Sequence, residues 1–194
     1  MNRKPATSKD ELRQIAHQRR GLLSLEERTA ASLEICRSMI DLDQFLDARG
    51  LHVYLPIGNE VDIRPIINLA WEMGKQVGLM RVMDDGGSEQ WQILPSTHYR
   101  TTKLGILEPT DAAPFDMEQC DLVIAPLLAA DLNCNRLGYG KGYYDQFLTQ
   151  FPRPAIGVAF DIQIFDQLPT DDRDIRLDSV LTEKRLIQRA ENGK

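Results

Sequence analysis

Cysteine is scarce and unpaired in this chain: Cys36, Cys120 and Cys134 are an odd set with no CxxC spacing. That disfavours a disulfide framework and a structural zinc site, and favours free thiols in a reducing compartment. Histidine is equally thin. His17, His52 and His98 stand far apart without ligand spacing and are assigned no chemistry; with no G-x-S-x-G elbow, Ser/His/Asp nucleophilic machinery has no local support. No window approaches the roughly 18 apolar residues of a membrane span, and the opening stretch, Met1 to Thr7, has no apolar h-region. Positive charge is in deficit: 23 Lys and Arg face 29 Asp and Glu, a net charge of −6. This argues against a nucleic-acid-wide basic surface and leaves room for a local basic pocket that takes a small anion. These absences predict a cytoplasmic protein with no membrane and no nucleic-acid partner, expected to be a monomer.

What is present suits a folded domain. A length of 194 residues with 42% hydrophobic content predicts one domain over 1–194, with a helical N-terminal arm over about 8–48. Ser8 and Glu11 form a capping box ahead of Leu12, Ile15 and Ala16, so a first helix starts at Lys9; Ser24 and Glu27 open a second, with apolar Leu25, Leu33, Cys36, Met39 and Ile40. A third short helical stretch covers 42–46.

The rhythm then changes. Residues 51–55 read as a strand that runs into turn residues from Pro56 to Asn59. Asp62 caps the next helix, with Pro65 in its first turn, Ile66, Ile67 and Ala70 inward and Gly74 as the stop, and 77–81 is again a strand. That order predicts a right-handed parallel βαβ unit. Asp84 to Gly87 is a turn, 90–94 an edge-strand candidate and 95–119 loop-like. Residues 122–125 form a buried strand, 126–135 a long connection of the kind that is usually functional, 155–160 a central strand, 163–167 a helical turn and 180–183 a last short strand. The alternation indicates an α/β fold with a mainly parallel sheet, its sites beyond Leu55, Ala125 and Phe160 at the carboxyl ends of strands.

The run Arg136-Leu137-Gly138-Tyr139-Gly140-Lys141-Gly142-Tyr143-Tyr144-Asp145 is the most informative segment. Alternating glycines let successive amides converge on phosphate oxygens, and the lysine adds a mobile positive charge. Tyr143, Tyr144, Phe147 and Phe151 fit one helical face, which puts the glycines at a helix N-terminus that favours anions. The spacing fits neither a P-loop, since Tyr143 follows Gly142 where Lys-Ser/Thr is required, nor a G-x-G-x-x-G fingerprint. A glycine-rich surface turn ahead of a core helix is the alternative. Further polar candidates are Lys9 and Arg13, one helical turn apart; Glu60, beyond the first strand; Asp174; and Asp145 with Asp178, which together could hold Mg²⁺ beside phosphate oxygens.

Several motifs in order resemble one known family: Lys9-x-x-Leu12-Arg13; Tyr54-Leu55-Pro56-Ile57-Gly58-Asn59-Glu60-Val61-Asp62; Leu104-Gly105-Ile106-Leu107-Glu108-Pro109; the decapeptide ending at Asp145; Gly157 to Phe160 with Gln163 and Leu168-Pro169; and Leu177-Asp178-x-Val180-x-Thr182-Glu183. Together they resemble 5-formyltetrahydrofolate cyclo-ligase, also called methenyltetrahydrofolate synthetase. The resemblance implies a three-layer α/β/α sandwich and conversion of 5-formyltetrahydrofolate with MgATP to 5,10-methenyltetrahydrofolate, ADP and phosphate.

By residue, the resemblance implies that Lys9, Arg13, Arg136, Leu137, Gly138, Tyr139, Gly140, Lys141, Gly142, Tyr143 and Tyr144 bind ATP. Arg13, Leu55, Glu60 and Tyr139 to Gly142 would contact the folate, Asp145 and Asp178 would hold Mg²⁺, and Lys141 and Arg136 would be catalytic. Two departures stand out. Cys134 occupies a position where many relatives have glycine, with Asn133 and Asn135 expected to absorb the turn, and Ala129-Ala130 replaces a common aromatic, expected to make the pocket wall smaller. Rival readings are a sugar-phosphate isomerase or CoA transferase on a related fold, or a non-catalytic nucleotide-sensing protein.

Overall fold

Both capping boxes form as the sequence predicts. The Ser8 hydroxyl accepts the Glu11 amide while the Glu11 carboxylate accepts the Ser8 amide, opening α1 (Lys9–Gly21), and Ser24 with Glu27 does the same for α2 (Leu25–Ile40). The computed structural model describes residues 8–83, 86–102 and 105–190. Met1 to Thr7, Asp84 and Asp85 of the predicted turn and Leu104 of the motif lie outside the described residues. In α2 the inward stripe is Ile35, Cys36 and Met39, whereas Leu25 and Leu33 face solvent. The short α3 (Asp43–Asp47) exists to insert Phe45, which is fully buried.

The remaining elements follow in chain order: β1 (Gly50–Val53), α4 (Arg64–Glu72), β2 (Gln76–Val82), β3 (Ser88–Gln92), β4 (Tyr99–Thr101), β5 (Leu107–Pro109), β6 (Ala113–Pro114), β7 (Leu122–Pro126), β8 (Ala129–Asp131), β9 (Arg136–Leu137), α5 (Tyr143–Gln150), β10 (Ala155–Val158), β11 (Ile164–Phe165), β12 (Ser179–Leu181) and β13 (Leu186–Gln188). Among the described residues the main sheet has eight strands in the order β13-β12-β10-β7-β1-β2-β3-β6. Its centre, β12 through β2, is parallel, and β13, β3 and β6 add antiparallel edges. The fold is thus mixed α/β, a mostly parallel sheet flanked by helices. No described helix is long and apolar enough to cross a membrane.

Strand periodicity decides which side chain meets which layer. Leu51, Val53, Leu122 and Ile124 point to the face covered by Ile35, Met39, Phe45 and Ile66 of α2 to α4. His52 lies over Phe147 of α5, while Val123, Ala125 and Val180 pack with Phe147 and Leu148 on that opposite face. Burying each Leu or Ile fully contributes about 1.5–3 kcal/mol, so these two faces supply most of the cohesion. A third cluster joins Leu12 and Ala16 of α1 to Leu128, Ala129, Leu137 and Leu168. It docks α1 on a second sheet, β11-β8-β9.

Several expectations are corrected. Asp62 is not the cap of α4; Ile63 is, and the Asp62 carboxylate accepts the Arg64 amide from one residue further out. The strand predicted at 90–94 is β3, which lies inside β6 rather than at the edge. The stretch 95–119 contains a β4–β5 hairpin, β6 and a 3₁₀ turn at Met117–Gln119, and 126–135 contains β8. Residues 161–163 make a 3₁₀ turn that runs into β11, so 163–167 is not a helical turn, and β13 follows the predicted last strand. All the overlooked strands are two or three residues long. At that length pairing partners, not propensity, decide the conformation.

Candidate active site

The carboxyl ends of β1, β2 and β7 open into a cleft of about 1710 Å³, walled by α1, the glycine run, the β4–β5 hairpin and residues 171–175. Every ATP- and folate-site candidate, from Lys9 and Arg13 through Leu55 and Glu60 to the run 136–145, lines it.

The glycine run leaves β9 and turns into α5. Gly142 is the N-cap of α5 at φ +72°, and Gly140, at φ +90°, brings its backbone so close to Arg13 that a Cβ there would lie 3.1 Å from the guanidinium carbon. Both positions need the left-handed region that glycine enters without strain. The consequence is electrostatic. Among the described residues, no backbone N–H from Gly138 to Asp145 donates to a protein acceptor; the first return bond of α5 is Gln146 N–H to Gly142 O at 3.0 Å. Unpaired amides at a helix N-terminus make a site for an anion.

The cations around this turn are held differently. The Arg136 side chain is 4% exposed, pairs with Asp145 at 2.8 Å and lies 5.7 Å over the Tyr144 ring, while its buried Nε has no partner among the described residues. Arg13 donates from Nε to Gly138 O at 3.0 Å and pairs with Asp10. Lys9 bridges Asp171 at 2.8 Å and Asp174 at 2.5 Å. Partial burial works against its ammonium, but those hydrogen bonds and charges outweigh it and raise its pKa. Lys141 is exposed and has no acidic partner among the described residues.

On the opposite side of the turn sits Glu60, 9% exposed. Its Oε2 accepts the Ile57 amide at 2.9 Å and its Oε1 accepts the Tyr139 hydroxyl. That hydroxyl accepts in turn from both Nη atoms of Arg20, each at 3.2 Å. Burial pushes the Glu60 carboxyl above its usual range, against the pull of Tyr139, Ile57 and the Arg20 charge. Burial and then the Glu60 charge raise the Tyr139 phenol as well.

One predicted pairing is not assembled. Asp145 faces the cleft, but Asp178 precedes β12 at the opposite end of the sheet, where its carboxylate accepts the Ala155 amide at 2.8 Å. One oxygen of that carboxylate is used by the start of β10, so in this structure Asp178 serves as a strand-end cap and makes no contact with Asp145 among the described residues. Cys134 is the one non-glycine residue at positive φ among the described residues, at 61°. Asn133 and Asn135 therefore do not absorb the turn. The fully buried Cys134 side chain packs in the α5-face core, its thiol 3.5 Å from Ile187 O, which offsets a strained backbone. Ala129 and Ala130 are core residues, not pocket wall.

Sequence reasoning missed Arg20, and His17, to which it assigned no chemistry, lines the cleft with its ring 5.9 Å from that of Tyr139. Their shared face was legible in the sequence, though the burial of Arg20 was not. Lys9, Arg13, His17 and Arg20 recur at four, four and three residues, one stripe of α1.

Comparison with known proteins identifies the family. The model of the 5-formyltetrahydrofolate cyclo-ligase family matches residues 5–183. The Mus musculus 5-formyltetrahydrofolate cyclo-ligase is 31% identical over 192 residues, covering 91% of this chain and 94% of that protein. A probable 5-formyltetrahydrofolate cyclo-ligase of Schizosaccharomyces pombe is 28% identical, covering 93% and 97%. The NMR structure of Aquifex aeolicus 5,10-methenyltetrahydrofolate synthetase superposes with a TM-score of 0.83 at 31% identity, over 96% of this chain and 95% of that one. With the matched residues spanning nearly the whole chain and Lys9, Arg13, Glu60 and the glycine run gathered in one cleft, the protein is an enzyme that belongs to the 5-formyltetrahydrofolate cyclo-ligase family.

Proposed function

We propose that this protein cyclises 5-formyltetrahydrofolate to 5,10-methenyltetrahydrofolate with ATP, releasing ADP and phosphate. The observation that carries the reading is the unbroken run of amides from Gly138 to Asp145, unpaired among the described residues, beside Arg136 and Lys141. It suits a triphosphate whose terminal group must be held while it is transferred.

The formyl oxygen is a poor leaving group. Its attack on the γ-phosphorus breaks the bond to the β,γ-bridging oxygen and releases ADP. The formyl carbon, now bearing a phosphate, is attacked by N10; phosphate departs with the carbon–oxygen bond, N10 loses its proton, and the methenyl bridge closes. The protein's part is alignment and charge neutralisation. Arg136 and Lys141 face the transferring group, Lys9 and Arg13 the other phosphates, and Leu55 with Glu60 the folate. No protein nucleophile is required. Burial raises the pKa of Cys36 and Cys120 to about 11, leaving both thiols protonated at neutral pH.

Asp145 fits a magnesium ion that arrives with the nucleotide. Its Oδ1 holds Arg136 and the Ile175 amide while Oδ2 carries no bond among the described residues, and Mg²⁺ commonly takes one or two carboxylates plus phosphate oxygens. Bound there, the ion would neutralise phosphate charge. Asp145→Asn is expected to raise the Mg²⁺ concentration for half-maximal rate severalfold. Asp178→Asn is expected to leave that concentration unchanged and lower the melting temperature, since it weakens the cap on β10. A metal titration of both variants checks this, and equal shifts would restore the Asp145–Asp178 pair.

The central test is direct. Protein with MgATP and 5-formyltetrahydrofolate is expected to develop the methenyl absorbance with ADP released in step. Absence of the chromophore removes the assignment. Nucleotide-independent turnover of a sugar phosphate or acyl-CoA would instead favour an isomerase or transferase, and ATP binding without folate-dependent hydrolysis a sensor.

A further inference from the structure

We infer that Arg20 is a positioning residue: acting through the Tyr139 hydroxyl, it keeps the buried Glu60 carboxylate ionised and oriented as an acceptor for N–H donors of the folate ring. The inference rests on the cyclo-ligase reading for the identity of the substrate, while the three-residue relay stands on geometry.

A phenol has one proton and two lone pairs. Both Arg20 Nη atoms donate to the Tyr139 oxygen at 3.2 Å, so the proton has one direction left, toward Glu60 Oε1. The Ile57 amide occupies Oε2. A carboxylate offers about four acceptor sites, so Glu60 retains capacity toward the cleft it lines.

Arg20 is 3% exposed and makes no ion pair among the described residues; its Nε, fully buried, has no partner either. A guanidinium taken out of water without a contacting carboxylate is costly. Here the nearest compensation is Glu60, one hydroxyl away, at the cleft surface where residue Tyr139 is 47% exposed. The groups that face Glu60 are Arg20 from α1, Tyr54 beyond β1, Tyr139 from the glycine run and Tyr144 from α5, with His17 of α1 in the same cleft beside the Tyr139 ring. Burial and the Arg20 charge both depress His17, which leaves its ring neutral near pH 7. The cation that stabilises an ionised Glu60 is therefore Arg20.

The test uses the full chain in two arms. In ligand-free protein, the side-chain carboxyl of Glu60 is titrated by ¹³C NMR. Arg20→Gln is expected to raise its midpoint by about one pH unit, and Arg20→Lys by less. In kinetics, Arg20→Gln is expected to raise KM for the formylfolate about tenfold, with kcat and the KM for ATP near wild type; its kcat/KM acid limb moves to higher pH, and Arg20→Lys restores part of both. An unchanged Glu60 midpoint in folded Arg20→Gln overturns the proposal, as does an equal rise in both KM values. Should Arg20→Gln not fold, Tyr139→Phe, whose ring keeps its place, is expected to raise the Glu60 midpoint; no rise overturns the relay. If the wild-type protein made no methenyl product, the functional reading would fall while the NMR arm still decided the relay.

Discussion

Lys141→Ala is expected to lower kcat for methenyl formation about 100- to 1,000-fold while leaving the melting temperature near that of the wild type. Lys141 is exposed and has no acidic partner among the described residues, so its removal takes no folded-state interaction away. It stands between Gly140 and Gly142 on the wall of the cleft, and in the proposed function it meets the phosphoryl group in transfer. A charge that served ground-state nucleotide binding alone would, when lost, raise the KM for ATP and spare kcat. A kcat loss with modest change in KM identifies a charge used in the transition state. Steady-state kinetics at saturating MgATP separate the two, and an unaltered kcat removes Lys141 from the catalytic set.

Acid is expected to destabilise the protein through His52. The ring is fully buried, 4.2 Å from Phe147, with Nε2 at 2.8 Å from Gln90 Oε1 and Nδ1 without a partner among the described residues. Burial outweighs the Gln90 hydrogen bond and pulls its pKa down to about 4, from 6.5. The fold thus favours the neutral ring. Its contribution is whole above pH 6.5, declines as the unfolded chain takes up a proton below that value, and is exhausted near pH 4, where the folded ring protonates too.

Between those two pH values the loss accumulates to about 3 kcal/mol, a large part of a typical domain's stability. Urea unfolding at pH 7.5 and pH 4 should therefore show a much steeper fall for wild type than for His52→Gln, whose side chain does not titrate. Carboxylates paired in the fold, such as Asp121 with Arg49, whose pKa is about 2, lose their contribution at lower pH and do so in both proteins. Equal pH slopes would show that His52 protonates without unfolding cost.

The parallel centre of the sheet was readable because its strands are short apolar runs bounded by turn residues, and the helices because Ser8 and Ser24 announce them. The glycine run was legible as a turn into a helix N-terminus, and it lines the cleft. Illegible were β4 to β6, β8 and β11: Tyr99-Arg100-Thr101 or Ala113-Pro114 have no pattern that says strand, and acquire the conformation from partners distant in sequence. Arg20 was passed over because a lone arginine is read as exposed; its burial follows from α1 lying across β8 and β9, a tertiary fact. Asp178 misled for the converse reason. A motif aspartate two residues before Val180 is equally a cap for a neighbouring strand, and its bond to Ala155 N–H gives it that role in this structure.

An anion receptor assembled from peptide groups, as proposed for the glycine run, has a genetic signature of its own. Because its donors from Gly138 to Asp145 belong to the main chain, substituting one side chain after another along that stretch deletes none of them. An alanine scan would report on Arg136 and Lys141 and leave the larger part of the receptor unrecorded. Proline alone among the coded residues removes the donor itself.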